Sequence, residues 1–166
     1  MSPEVSPEVT GETVAMLVLE LARRGQTVAA AESLTGGLLC ATLVDVPGAS
    51  LVLRGGLVVY ATDLKTSLAG VPADLLERRG PVDPDVALAL ARGARQRCGT
   101  DWGLATTGVA GPEPQEGVEV GTVYVAVADA SDAQVRRLRL DGDREAIRAA
   151  AVAAALDLLR QRLEAV

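Results

Sequence analysis

The chain has 166 residues, 49% hydrophobic and 23% charged, which suits one domain with one main core and no need of staples. A net charge of −6 opposes broad binding to nucleic acid or to an anionic membrane surface, yet leaves room for a local basic pocket that takes one phosphate. There is no histidine, so a Ser-His-Asp triad and a His-ligated metal site are excluded; any nucleophilic chemistry needs another base, lysine first.

Met1 to Thr10 is acidic and Pro-containing, unlike a signal peptide, and reads as a loose tail ahead of one domain over residues 11–166. No apolar run is long enough to span a bilayer, so a cytoplasmic location is expected. From Gly11, Val14, Leu17, Val18 and Leu21 recur at helical spacing, and Gly25 stops the helix. Thr27 to Ala31 reads as a short buried strand, Glu32 to Gly37 as a turn, and Leu38 to Val44 as a helix ended by Pro47-Gly48. The second half of Leu51 to Tyr60 reads as a strand that Tyr60 ends. Short helices follow over Asp63–Leu68 and Pro72–Arg79.

Asp83-Pro84 starts a helix, since Asp caps and Pro fits the first turn, and that helix runs to Gly99. Trp102 to Thr106 reads as a strand, with a glycine-containing loop from Thr107. Thr122–Ala128 and Gln134–Leu140 read as a hairpin. Asp141-Gly142-Asp143 introduces a last helix with Val152, Leu156, Leu159 and Leu163 on its apolar face. Alternating strands and helices followed by a hairpin predict an α/β fold with a mixed sheet and helices on both faces. Cys40 and Cys98 lack zinc-ligand spacing and read as free buried thiols.

Three polar clusters end predicted strands, where sites in open α/β sheets gather. In Ala31-Glu32-Ser33-Leu34-Thr35-Gly36-Gly37, Ser33 projects from a turn whose amides could hold an anion; the plainer role for Ser33 or Thr35 is a helix cap. In Tyr60-Ala61-Thr62-Asp63-Leu64-Lys65, the lysine stands where the helix dipole does not favour a cation. As a base it must be neutral, which desolvation could achieve; otherwise it is a solvated surface lysine. Thr106-Thr107-Gly108 opens a turn able to hold phosphate or sugar oxygens, or to be an ordinary turn. Arg144 could grip a phosphate or lie exposed.

Taken in order, AESLTGG, GGLVVYATDLK, RRGPVDPDVALALARGA, TTGVAGP, GTVYVAV and DGDREAIRAAAV resemble the C-terminal domain family of the competence/damage-inducible protein CinA, from about Val14 onward. The resemblance implies a three-layer α/β/α sandwich around a central mixed β-sheet. It implies an amidase that hydrolyses nicotinamide mononucleotide to nicotinic acid mononucleotide and ammonia, with neither metal nor organic cofactor. Ser33 falls on the family's nucleophile, Lys65 on its base and Tyr60 on its helper. Thr107, Gly108 and Arg144 fall on nucleotide contacts. Amides near Thr35, Gly36 and Gly37 are expected to hold the oxyanion. The chain is expected to correspond to the family's stand-alone form and to self-associate. Two other readings stay open: a nucleotide-binding regulatory module without turnover, and an amidohydrolase for another small amide. Leu34, Ala61-Thr62-Asp63 and the short PEPQEGVEVG loop depart from the family's common residues, so the loop bears on specificity.

Overall fold

The computed structural model describes residues 9–166. Its spine is β1 (Val28–Glu32), a strand of small residues buried along its whole length. β2 (Leu53–Val58) and β3 (Trp102–Gly108) flank it, both parallel to it. β4 (Thr122–Ala128) and β5 (Ala133–Arg139) add an antiparallel hairpin, giving the order β2-β1-β3-β4-β5. The sheet is mixed because the crossovers after β1 and β2 carry helices while β3, β4 and β5 are joined without any.

Period-two alternation divides the core into two layers. Val28, Ala30, Trp102, Leu104, Val123, Val125 and Val127 face α1 (Gly11–Arg24), α2 (Leu38–Val44) and α6 (Arg144–Glu164). Ala29, Ala31, Ala105, Ala126 and Ala128 face the side covered by α3 (Thr62–Ser67), α4 (Ala73–Arg79) and α5 (Pro84–Cys98). The result is the three-layer α/β/α sandwich. The fully buried strand residues are mostly large on the first face and are alanines on the second, so α5 lies close against the sheet. At Gly103 a Cβ would enter the van der Waals envelope of the Ala91 carbonyl.

The helix ends follow their sequence signals. Thr10 accepts from the Thr13 amide to start α1, and Gly25 at φ 64° ends it. Asp83 accepts from the Asp85 and Val86 amides ahead of α5. Asp143 accepts from the Ala146 amide and so fixes where α6, and Arg144 with it, begins.

Several boundaries differ from expectation. β2 stops at Val58, so Tyr60 lies two residues past a strand instead of ending one; the chain leaves the ladder after Val59, whose amide donates to the Glu32 carbonyl. β3 runs on to Gly108 because β4 pairs with it that far. Of the tail expected over residues 1–10, residues 1–8 lie outside the described residues, and Thr10 is a helix cap. Cys40 and Cys98 are free but only half-buried. Among the described residues, no helix is long and apolar enough to cross a membrane.

The close approach at Gly103 is testable. Gly103→Ala should lower stability by about 2–3 kcal/mol through overpacking of α5 against β3. Denaturant unfolding measures it, and an unchanged midpoint would mean that α5 gives way freely.

Candidate active site

The site begins with a glutamate at the end of an apolar strand. Glu32 is in register with Thr106 on β3, and alternation sends both side chains to the α2 face. Only 1% of Glu32 is exposed. Its carboxylate accepts from Thr35 Oγ1 at 2.6 Å and from the amides of Gly37 at 3.2 Å, Leu39 at 2.8 Å and Cys40 at 3.0 Å. Donors of this number are what makes a buried carboxylate tolerable, and the cap and first amides of α2 supply three of the four. Thr35 spends its hydrogen on Glu32, so the 2.8 Å contact between its oxygen and Thr106 Oγ1 takes Thr106 as donor. Thr106 Oγ1 then accepts from the Ser33 amide at 3.3 Å. One acidic side chain thereby sets the direction of a hydrogen-bond chain that ends at Ser33.

Ser33 opens a turn closed by the Gly36 amide on the Ser33 carbonyl at 3.1 Å. Gly36 at φ 58° and Gly37 at φ 105° occupy left-handed conformations that side chains resist, which is why glycines follow here. The expected oxyanion donors shift as a consequence. The amides of Gly36 and Gly37 are spent on Ser33 O and Glu32, while those of Leu34 and Thr35 have no acceptor among the described residues. Thr35 is fully buried behind Ser33 instead of facing the cleft. Outside the turn, Arg148 of α6 donates to the carbonyls of Leu34 and Thr35, each at 2.9 Å.

Lys65 projects from α3 into the other side of the same strand end. It is 1% exposed. Its Nζ lies 3.0 Å from Ser33 Oγ, 2.7 Å from the Val59 carbonyl and 3.4 Å from the Tyr60 carbonyl. No carboxylate is among these partners. Burial alone lowers the amine from 10.5 to about 8, within reach of the neutral form that a base requires. Ser33, Lys65, Tyr60, Thr107, Gly108 and Arg144 all line one cleft of about 130 Å³, with Leu34, Val109, Glu113 and Gln115 on its walls. Thr107 anchors a wall by donating to the Pro81 carbonyl at 2.6 Å. Arg144 donates to the Gly111 carbonyl and, at 3.2 Å, to the Tyr60 hydroxyl. Tyr60 therefore turns its hydroxyl toward Arg144, while its main chain holds Lys65.

The cysteine on α2 is unsuited to nucleophilic work. Burial, with the Glu32 carboxylate beside it, pushes the Cys40 thiol up to about 12. Two residues central to this geometry, Glu32 and Arg148, escaped the sequence-based expectation. A lone acid closing the run Val28-Ala29-Ala30-Ala31 was the available signal for the first. Spacing of one helical turn from Arg144 was the signal for the second.

The model of the CinA C-terminal domain family matches residues 11–163. The chain belongs to this family. A CinA-like protein of Frankia casuarinae is 52% identical over 143 residues, covering 86% of this chain and 33% of that protein. A CinA-like protein of Geobacter sulfurreducens is 48% identical over 141 residues, covering 84% of this chain and 34% of its own. The chain thus spans about a third of the length of these relatives. Among solved structures, the competence/damage inducible protein CihA of Agrobacterium tumefaciens superposes with a TM-score of 0.88 at 32% identity, over 93% of this chain and 94% of that one. A CinA superfamily protein of Escherichia coli gives 0.89 at 30%, over 98% and 99%.

The lowered amine of this CinA-family domain carries a stability signature. Between about pH 8 and the ordinary 10.5, the unfolded chain holds a proton that folded Lys65 has released, so stability contributed here rises with pH across that window. Lys65→Met removes the titration. The stability of the native chain relative to this variant should therefore increase from pH 8 to 10.5 in denaturant unfolding. A difference that stays flat would place the folded amine at its ordinary value.

Proposed function

We propose that this domain is an amidohydrolase that cleaves the carboxamide of a nicotinamide nucleotide, taking nicotinamide mononucleotide to nicotinic acid mononucleotide and ammonia. The carrying observation is the 3.0 Å contact between Ser33 Oγ and the buried Lys65 amine, in a cleft that also holds Arg144. Neutral Lys65 takes the Ser33 proton as Oγ bonds to the carboxamide carbon, and the carbonyl electron pair moves to oxygen. The free amide of Leu34, which lines the cleft next to Ser33, stands to receive that oxyanion, an interaction worth about 3–4 kcal/mol where one donor has been removed in other hydrolases. Collapse breaks the C–N bond, and the Lys65 ammonium gives its proton to the leaving ammonia. Water then attacks the acyl-enzyme, passing a proton to Lys65, and the proton returns to Ser33 Oγ as the acid departs.

Arg144 suits the substrate phosphate, since its present partners are a neutral carbonyl and a neutral hydroxyl that an anion would outcompete. Tyr60 would position both ends, its hydroxyl on Arg144 and its carbonyl on Lys65. The pyridinium ring is compatible with a chain of net charge −6.

Ammonia release from nicotinamide mononucleotide is the direct assay. Ser33→Ala and Lys65→Ala should each lower kcat/KM by at least ~10³-fold, as removal of members of a nucleophile–base pair does elsewhere. For the native chain, kcat/KM should rise with pH and level off above about 8, as Lys65 loses its proton. Arg144→Met should raise KM about tenfold with kcat less affected, the pattern of a lost binding contact. No ammonia from the native chain, or full activity in Lys65→Ala, would overturn the reading.

A further inference from the structure

The first two turns of α6 deliver two arginines to the site by different routes. Arg144 lines the cleft, whereas Arg148 lies behind the turn that presents Ser33 and does not line it. Arg148 Nε donates to the Leu34 carbonyl and its Nη2 to the Thr35 carbonyl, and no carboxylate is among its partners in the described residues. Holding a long cationic side chain in a fork against two neutral oxygens costs conformational entropy, so the contact is meaningful for what it does to the turn.

Each carbonyl belongs to the same peptide unit as the next residue's amide. The bond at Leu34 O therefore polarises the Thr35 N–H, one of the two amides that the turn leaves without an acceptor. The bond at Thr35 O acts in the same way on the Gly36 N–H, which closes the turn on the Ser33 carbonyl. Glu32 grips this turn and the start of α2 from inside through four donors. Arg148 grips the turn from outside through two acceptors. The inner grip orders side chains and the α2 amides; the outer one bears on the peptide beside the nucleophile.

We propose that Arg148 is a positioning residue that holds the Leu34–Thr35 peptide from behind, so that the amide of Leu34, which lines the cleft, is held where it receives the oxyanion formed when Ser33 attacks. This rests on the acyl-transfer reading of the site and is independent of which amide is the substrate.

Two readouts separate the proposal from that reading. The first is ammonia release from nicotinamide mononucleotide. The second is the rate at which a fluorophosphonate probe labels Ser33: Oγ bonds to phosphorus, fluoride leaves, and the serine proton passes to Lys65. In the full chain, Arg148→Met should slow labelling and kcat by about 10- to 100-fold, the usual scale for a disturbed oxyanion donor or a misplaced reacting group. KM should move less than about threefold, and the pH midpoint of activity should stay put because the contacts of Lys65 are untouched. Arg148→Lys, able to reach one carbonyl, should recover part of the rate. Added methylguanidinium should accelerate Arg148→Ala and leave the native chain unchanged. Labelling and kcat within twofold of native in Arg148→Met would overturn the proposal. So would a loss that merely tracks the folded fraction, with no rescue by lysine or methylguanidinium. If the native chain labels at Ser33 and Arg148→Met slows it, yet no ammonia is released, the substrate reading falls and the positioning role stands. If the native chain neither labels nor releases ammonia, both fall.

Discussion

Lys65 is shut away from water with three oxygens and no acid around its Nζ, and the rest of the cleft is arranged about that amine. A carboxylate in the same place would have kept it charged, as opposite charges do. Carbonyls fix its position through geometry alone. As an amine, Lys65 can donate to Val59 and Tyr60 and accept from the Ser33 hydroxyl; as an ammonium, it can donate to all three. Both protonation states thus use one set of contacts, and a proton can cross to Lys65 and back without repacking. This is preorganisation in its plainest form.

The carbonyls are available because of where a strand ends. β2 pairs with β1 as far as Val58, and the last bond of the ladder is Val59 N–H to the Glu32 carbonyl. From there the chain leaves the sheet with the Val59 and Tyr60 carbonyls free to turn toward α3, and α3 brings Lys65 back over them. A helix of six residues has little stability of its own. Leu64 against the α5-side core and the Val71 amide on the Lys65 carbonyl hold it there. The buried acid and the buried base of the site consequently lie on opposite faces of the sheet, Glu32 under α2 and Lys65 on the α5 side. Ser33 stands between them at the strand end.

Much of this arrangement was legible in the sequence because it depends on strand ends. Ser33 follows β1, Thr107 and Gly108 end β3, Lys65 lies on the helix after β2, and Arg144 follows the Asp143 cap; the fold brings all five, with Tyr60, to one cleft. The turn was less legible. The pattern of Thr35-Gly36-Gly37 says that amides crowd there, but not which are spent. Glu32, buried beneath α2, claims the Gly37 amide and thereby moves the free donors toward Ser33. Tyr60 was read as the end of a strand because its neighbours Val58 and Val59 are β-branched. The chain instead bends after Val59, since a further pair with β1 would run into the turn at Ser33. Arg148 carried no local mark beyond its spacing from Arg144, because its partners are main-chain carbonyls 113 and 114 residues away.

Charge shows how a chain of net charge −6 can present a cationic pocket. Arg144 and Arg148 both spend their hydrogen bonds on neutral oxygens, so neither is neutralised by its partners. They stand in the first two turns of a 21-residue helix, whose N-terminal dipole adds to the same positive field. Glu113 stands on the cleft wall and Glu32 is spent beneath the Ser33 turn, but other acidic residues are used elsewhere. Asp157 and Asp129, for instance, bind Arg136, Arg160 and Arg162 farther along α6 and its neighbouring strand. On the proposed reading, a phosphate at Arg144 meets an uncompensated charge, and Tyr60 ties that end of the cleft to the other: its hydroxyl faces Arg144 while its carbonyl faces Lys65. The residue between Arg144 and Lys65 is then a neutral one that contacts both, so Arg144 has no acidic partner to give up when an anionic substrate enters.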